Sequence, residues 1–408
     1  MLKWRHEFQI LKLMQKSQKT LLERNLLLLK FHRLDVLLFA GAIFIAYQMH
    51  TIGLTLTQIL VGESVFALSI LLFEIPTGVF SDLVSRKKTL LIAEILLFFG
   101  VLIFALAQSF LHIIISQIVF GIAVATISGT DSALLFDTLK ALGREDEHKK
   151  ILGEITSFFL VTIAIGQIIG GFLGTIDLRL PILLSIPIPL IRIILILFLT
   201  EPPKENLKNA PSLFSHTNSA IKWIFSSRVV AFLIFSSMVI ALASKISIHT
   251  FNPYMEIINI TIVYWGILMA GFNLLAAFIA KQTHFIENKL GSMNSFIFIF
   301  VIWILGFVLM AKVHIFLAFS WPLLHWIMRP FRDIFFSDEI NKRTESHRRA
   351  TVLSMTNFAG QLLQVIALPV FGYITDIWSL ETMYLVMGVM LLVMGFIGGV
   401  GIKVFTKQ

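Results

Sequence analysis

The sequence predicts an all-α integral membrane protein with twelve transmembrane helices in two six-helix halves. Apolar stretches of about 20 residues, the length that crosses the hydrocarbon of a bilayer, recur along the chain with short breaks. Hydrophobic residues make up 57% of the chain and charged residues 14%, against about 25% charged in a soluble domain. Lys and Arg are also segregated: with the spans assigned, 29 of the 33 fall on one side, which the positive-inside rule makes cytoplasmic. The formal net charge of +9 therefore orients the protein in its membrane and requires no nucleic acid partner.

The spans fall at roughly 34–50, 56–81, 89–108, 112–136, 152–174, 180–200, 229–251, 261–281, 293–311, 313–335, 351–374 and 381–404. Twelve crossings put both termini in the cytoplasm. Residues 1–33 are basic and mixed, with Lys30-Phe-His-Arg33 where a signal peptide would have a small-residue cleavage site. They read as a cytoplasmic arm, either amphipathic and lying on anionic lipid or a mobile tail. The longest polar break, 201–228, holds Pro202, Pro203 and Pro211 and separates an N-terminal half (34–200) from a C-terminal half (229–408). A weak repeat supports that division, since Gly170 to Ile176 aligns with Leu368 to Ile374.

The chain turns most sharply at Glu74 to Lys88. Arg86, Lys87 and Lys88 mark a cytoplasmic hairpin between the second and third spans, and Gly78, Asp82 and Arg86 follow one another at intervals of four, on one helical stripe. There Gly78 would let a neighbouring helix approach closely. This spacing resembles the signature between helices 2 and 3 of the major facilitator superfamily of secondary transporters, with Ser85 where that family usually has glycine. The glycines Gly166, Gly170 and Gly171 in the fifth span resemble the antiporter motif of its drug-proton branches, with Gln167 in place of proline. In the fourth span Gln117 precedes Gly121 where arginine is usual. The Glu-x-Pro-Thr-Gly opening at Glu74 and the segment Ser128 to Asp137 are similar to a bacterial branch of the superfamily. The resemblance implies two halves that rock about a central substrate path, with Asp82 and Arg86 as gate residues meeting the start of the eleventh span.

Ionisable groups inside spans are costly and are functional candidates by default. Glu63 and Glu74 stand about three helical turns apart and so point the same way. Glu74 reads either as a proton relay or substrate contact or as a structural hydrogen bond; Glu63, nearer the outer interface, reads either as part of the same path or as simply solvated. Asp131 lies deeper in the fourth span and is placed to enter the central cavity, whereas Asp137, at the cytoplasmic end, is a partner for Arg86 or for the basic 10–11 loop. Arg192, among Ile and Leu, needs a partner such as Glu74, an anionic substrate, or a path to the interface. Lys245 reads as a snorkelling interface lysine one turn from His249, and His325 as a hydrogen-bonded helix histidine.

Enzyme chemistry finds no support: there is no phosphate-cradling loop and no nucleophile with a spaced base. Cysteine is absent, which removes disulfides and thiolate metal sites, and neither metal nor cofactor is expected. The sequence therefore points to a multi-pass transporter of the bacterial inner membrane moving a small organic solute. The first expectation is proton-coupled efflux. The alternatives are uptake of an anionic metabolite, favoured by Arg192 and Arg329, and a transporter-like receptor that does not transport.

Overall fold

A computed structural model describes residues 18–203, 223–224, 226–345 and 348–405, apart from the side chains of 82, 83, 350 and 398–405. The start of the arm and most of the 6–7 linker lie outside the described residues. So does the side chain of Asp82, although its backbone belongs to a helix.

In hydrocarbon each backbone amide and carbonyl must find its partner within the protein, which selects helices. Nine helical segments among the described residues are long and apolar enough to cross a membrane. The order is α1 (residues 18–32), α2 (Leu56–Leu83), α3 (Arg86–Ala105), α4 (Phe110–Ile127), α5 (Thr130–Leu142), α6 (His148–Gly174), α7 (Leu180–Leu183), α8 (Pro187–Leu197), α9 (Arg228–His249), α10 (Phe251–Ile257), α11 (Ile262–Lys312), α12 (Trp321–Arg343), α13 (Arg349–Ile377) and α14 (Leu380–Phe405).

The 51 residues of α11 would measure about 77 Å if straight, far more than a bilayer. Gly291, at φ 76° and ψ 162°, reverses the chain there. Asn273 and Glu287 face Trp326 and Lys342 in parallel order, while Ser292 and Gly306 face Glu339 and His325 in antiparallel order. The expected spans at 261–281 and 293–311 are therefore the two arms of this hairpin. Two of the expected crossings are not among these nine. The first, 34–51, is irregular, with three-residue turns such as Ala40 N–H to Leu37 C=O before a π-helix at Tyr47–Thr51. The tenth, α12, carries Arg329, Arg332 and Asp333.

Other spans are broken where their residues demand it. Gly129, at φ 74°, separates α4 from α5, and prolines 187 and 189 restart the sixth span as α8.

The two halves pack pseudo-symmetrically, α2 against α13 and α6 against α11. At the end of the molecule away from the Arg86–Lys88 loop these helices touch. A Cβ on Gly372 would stand 2.6 Å from Thr57 Cα, and one on Gly171 3.0 Å from the Gly266 amide nitrogen. Toward the basic end they diverge. Ile75 lies five helical turns along the stripe of Thr57 and is 67% exposed, and Phe358, on the stripe of Gly372, is 53% exposed. Gly78 has nothing within 4 Å of where a Cβ would sit. The close helix approach expected at Gly78 is thus absent in this state, because the crevice opens at that level.

Over residues 18–32, the described part of the arm, helix α1 neither lies on lipid nor hangs free. Its Leu22, Asn25, Leu29 and His32 are buried against the N-terminal half. Asn25 Nδ2 donates to the Thr200 carbonyl at 2.7 Å, and its Oδ1 accepts from the Thr200 amide at 2.9 Å.

Candidate functional site

At the closed end, a cavity of about 200 Å³ lies between the first crossing and α9–α11, lined by Gly41, Phe44, Ile45, Ile248, His249, Phe251, Asn252 and Met269. Helix α9 stops at His249 and α10 begins at Phe251, as the Asn252-Pro253 pair suggests. The break delivers the Asn252 side chain rather than free carbonyls. Its Nδ2 donates to Ala42 C=O at 2.7 Å, and its Oδ1 accepts from the amides of Ile45 and Ala46 at 3.1 and 3.3 Å. This pins the irregular first crossing to the opposite half.

Beside the cavity, Glu63 of α2 is 5% exposed. It lies 2.9 Å from Lys245 Nζ and 3.0 Å from His249 Nε2, both on α9. Gln117 Nε2 donates to its other oxygen at 3.0 Å. The expectation of a solvated Glu63 fails, and so does that of a snorkelling Lys245. Both reach past the rim and meet each other, since the energetic alternative is two separately buried charges. Gln117, the departure from the arginine usual in the fourth span, removes the local positive charge; Glu63 finds it in the other half.

Further links between the halves lie at this same end. Asp376 of α13 accepts from the Leu56 and Thr57 amides at the N-terminus of α2 at 3.2 and 3.0 Å, where the helix dipole favours a carboxylate. His50 and Glu256 stand 2.7 Å apart. Gln167 Oε1 accepts from Asn273 at 3.1 Å, and Asn273 in turn accepts from the Trp326 indole at 3.2 Å. So the second motif departure, Gln167 where proline is usual, also supplies a cross-half hydrogen bond. The glycines around it do the rest. Cβ atoms at Gly166 and Gly170 would collide with the carbonyls of Leu38 and Phe39, and one at Gly266 with the carbonyl of Gln167.

At the basic end the 2–3 loop is held from three sides. Arg86 forms an ion pair with Asp137 of α5, as the sequence suggests, and donates to Ala133 C=O at 2.6 Å. Glu201, which composition assigns to the linker, caps α3: it accepts from Ser85 Oγ at 2.8 Å and from the Arg86 and Lys87 amides at 2.9 Å each. Lys87 Nζ returns the favour at the end of the sixth span, donating to Leu197 and Leu199 carbonyls at 2.8 and 2.7 Å. Ser85 is extended at φ −170°, so this turn does not need the family's glycine.

The other candidates are redistributed. Arg192 is buried but does not meet Glu74; its NH2 lies 2.6 Å from Glu94 of α3, and NH1 donates to Leu34 C=O at 3.1 Å. Glu94 is wholly buried and also meets His32 at 3.0 Å. Glu94, a lone carboxylate inside the apolar third span, is the sequence signal that could have located this cluster. Burial holds the His32 imidazole below its usual range, with the Glu94 hydrogen bond opposing that shift. Asp131 faces α1 instead of the central cavity, 3.1 Å from Arg33. Glu74 is exposed in the crevice, with Ser128 Oγ 3.5 Å away, so it does not share a side-chain environment with Glu63. His325 is fully buried between Trp303 and Phe307 and hydrogen-bonded to Ser247 at 2.8 Å, a packing role.

Known proteins share this architecture. A family model described as the Major Facilitator Superfamily matches residues 31–332. Relatives include the uncharacterised MFS-type transporter YxaM of Bacillus subtilis (strain 168), 22% identical over 82% of this chain and 85% of that protein. Another is the quinolone resistance protein NorA of Staphylococcus aureus (strain N315), 22% identical over 88% and 89%. Among solved structures, the nucleoside transporter NupG superposes with a TM-score of 0.78 at 15% identity, covering 92% of this chain and 98% of that one. A bacterial homologue of the human lysosomal transporter Spinster, inward-facing and unoccupied, gives 0.73 at 15% identity over 95% and 98%. With the matched model spanning most of the chain, this protein belongs to the major facilitator superfamily.

Proposed function

We propose that this protein is a secondary active transporter that exports a small organic solute across the inner membrane in exchange for protons. The basic end is taken as cytoplasmic, so this state is open to the cytoplasm and closed to the outside. The observation that carries the reading is Glu63, a buried carboxylate joining the two halves beside the cavity through Lys245 and His249. Ionised, it holds the outer end shut. Protonated, it loses both ion pairs, and the outer seal is left to Asn252, Asp376 and the glycine contacts. Proton uptake at the outer face and release as the pairs re-form would link proton entry to the rocking of the halves. His249, which also lines the cavity, gives the solute a way to compete for that pairing.

The likeness to NorA over most of the chain supports export over uptake. Arg192, which would favour an anion-uptake site, is neutralised by Glu94. Glu74, exposed in the crevice, loses its place as the coupling site to Glu63.

The test is proton flux into proteoliposomes under an imposed proton gradient, with a panel of lipophilic cations, aromatic acids and sugars. Substrate-evoked proton movement should occur in the native protein, persist in Glu74→Gln and vanish in Glu63→Gln. Coupled flux that survives Glu63→Gln would overturn the coupling role. A complete lack of flux alongside ligand-induced thermal stabilisation would favour the receptor alternative.

A further inference from the structure

Arg329 and Arg332 of α12 stand apart from Arg192 and Lys245 because, among the described residues, no carboxylate from another helix meets them. Arg192 and Lys245 each have such a partner. Arg329 makes no hydrogen bond or ion pair among the described residues and is half-buried. Among the described residues Arg332 pairs with its chain neighbour Asp333, at 2.9 Å, and its Nη1 is buried without an acceptor. A guanidinium removed from water without a partner is unfavourable, and such donors are retained where they meet an anion.

The direction of the pair follows from Trp326. Its indole bonds Asn273, which bonds Gln167 of the opposite half, so this stripe of α12 faces the space between the halves. Arg329 lies one turn farther along that stripe toward the open end, and Asp333 one turn beyond. On the closed side, Trp326 packs edge-on against Phe251, at 5.5 Å between ring centres, and beside Phe272 at 5.9 Å. Phe251 also lines the cavity. The three rings are buried against one another, and the turn of α12 that follows them carries Arg329, a guanidinium with no hydrogen bond or ion pair among the described residues.

Building on the transport reading above, we propose that the solute is an amphipathic organic anion, with a carboxylate or similar acid group on Arg329 and its apolar body toward the cavity that Phe44, Phe251 and Met269 line. Planar, bidentate donation to a carboxylate is what arginine does best, and Arg332, one turn on, is already engaged by Asp333.

The probes are naphthalene-1-carboxylate and its isosteric neutral carboxamide, with binding to purified detergent-solubilised protein followed by tryptophan fluorescence. No gradient is applied, so the result is independent of proton coupling: failed flux through Glu63 leaves this measurement standing, and the reverse holds. The carboxylate should bind about tenfold more tightly than the carboxamide, the scale of one charge-assisted hydrogen bond. Arg329→Gln should abolish that preference while keeping carboxamide binding, which also reports that the variant is folded. Arg329→Lys should restore part of it. Equal affinities, a preference retained in Arg329→Gln, or no binding of either probe would overturn the assignment.

Discussion

Glu63 and Lys245, 182 positions apart in sequence, meet at 2.9 Å across the boundary between the two halves. The contact is buried on the carboxylate side and shared with His249 at 3.0 Å. Breaking a buried pair by removing one partner typically costs about 3–5 kcal/mol, since the other charge is left unpaired in a dry site. Here that cost falls on one conformational state only, because the partners sit on helices that must separate when the closed end opens. An ion pair placed this way sets an equilibrium between states more than it sets the stability of the fold.

For the closed end, Glu63→Gln should therefore shift the resting population toward the form open at the opposite face. The native chain has no cysteine, so a spin-label pair introduced at Thr57 and Ile374 would report that separation directly. An unchanged distance distribution in Glu63→Gln would show that Asn252 and Asp376 suffice as the seal.

Glycine substitutions should divide by position. Gly266→Ala forces a methyl group into the Gln167 carbonyl of the opposite half and should disfavour this closed end, whereas Gly170→Ala forces one into the Phe39 carbonyl within the N-terminal half and should lower its stability; each should cut transport by about tenfold or more. Gly78→Ala meets open space in this state and should leave the melting temperature unchanged or slightly raised, given alanine's higher helix propensity. Equal damage from all three would mean that Gly78 is a contact in the alternate state, readable from the same spin labels.

The Arg192 cluster predicts a stability effect with little kinetic signature. Glu94→Gln leaves a buried guanidinium facing a neutral amide and should destabilise the protein by about 3 kcal/mol, seen as a lower melting temperature in detergent. Adding Arg192→Met to that variant should recover much of the loss, since an apolar pair of similar volume needs no counter-charge. If Glu94→Gln melts normally but fails to transport, the cluster belongs to the transport path after all.

At the 2–3 loop, Glu201→Gln should resemble Arg86→Ala. Both loosen the start of α3, one by weakening three accepted hydrogen bonds and the other by freeing Asp137. Each should slow turnover several-fold with little change in substrate affinity. A pure affinity loss would contradict a role in conformational exchange.

Much of this molecule was legible in its sequence. The lengths of the apolar runs required helices that cross a bilayer, and the clustering of basic residues gave the helix ends a common polarity. Gly166, Gly170 and Gly171 announced close helix contact because a missing side chain has few other uses in a span, and Arg86 with Asp137 formed the pair their positions suggested. Partners that come from distant segments were not legible there. Glu63 looked solvated because its depth was judged along one helix, whereas its neighbours Lys245 and His249 arrive from the other half. Arg192 was matched to Glu74 because that carboxylate was conspicuous, while Glu94 lay unnoticed in an apolar run. Gln117 and Gln167 looked like lost motif residues and proved to be hydrogen-bonding partners of Glu63 and Asn273. Sequence by itself determined the helices, their membrane class and the family, because these depend on hydropathy, local spacing and motif. Only the tertiary structure decided which buried charge is compensated by which, because in a low-dielectric interior that pairing depends on a few ångströms of distance between helices, a quantity that spacing along one chain does not contain.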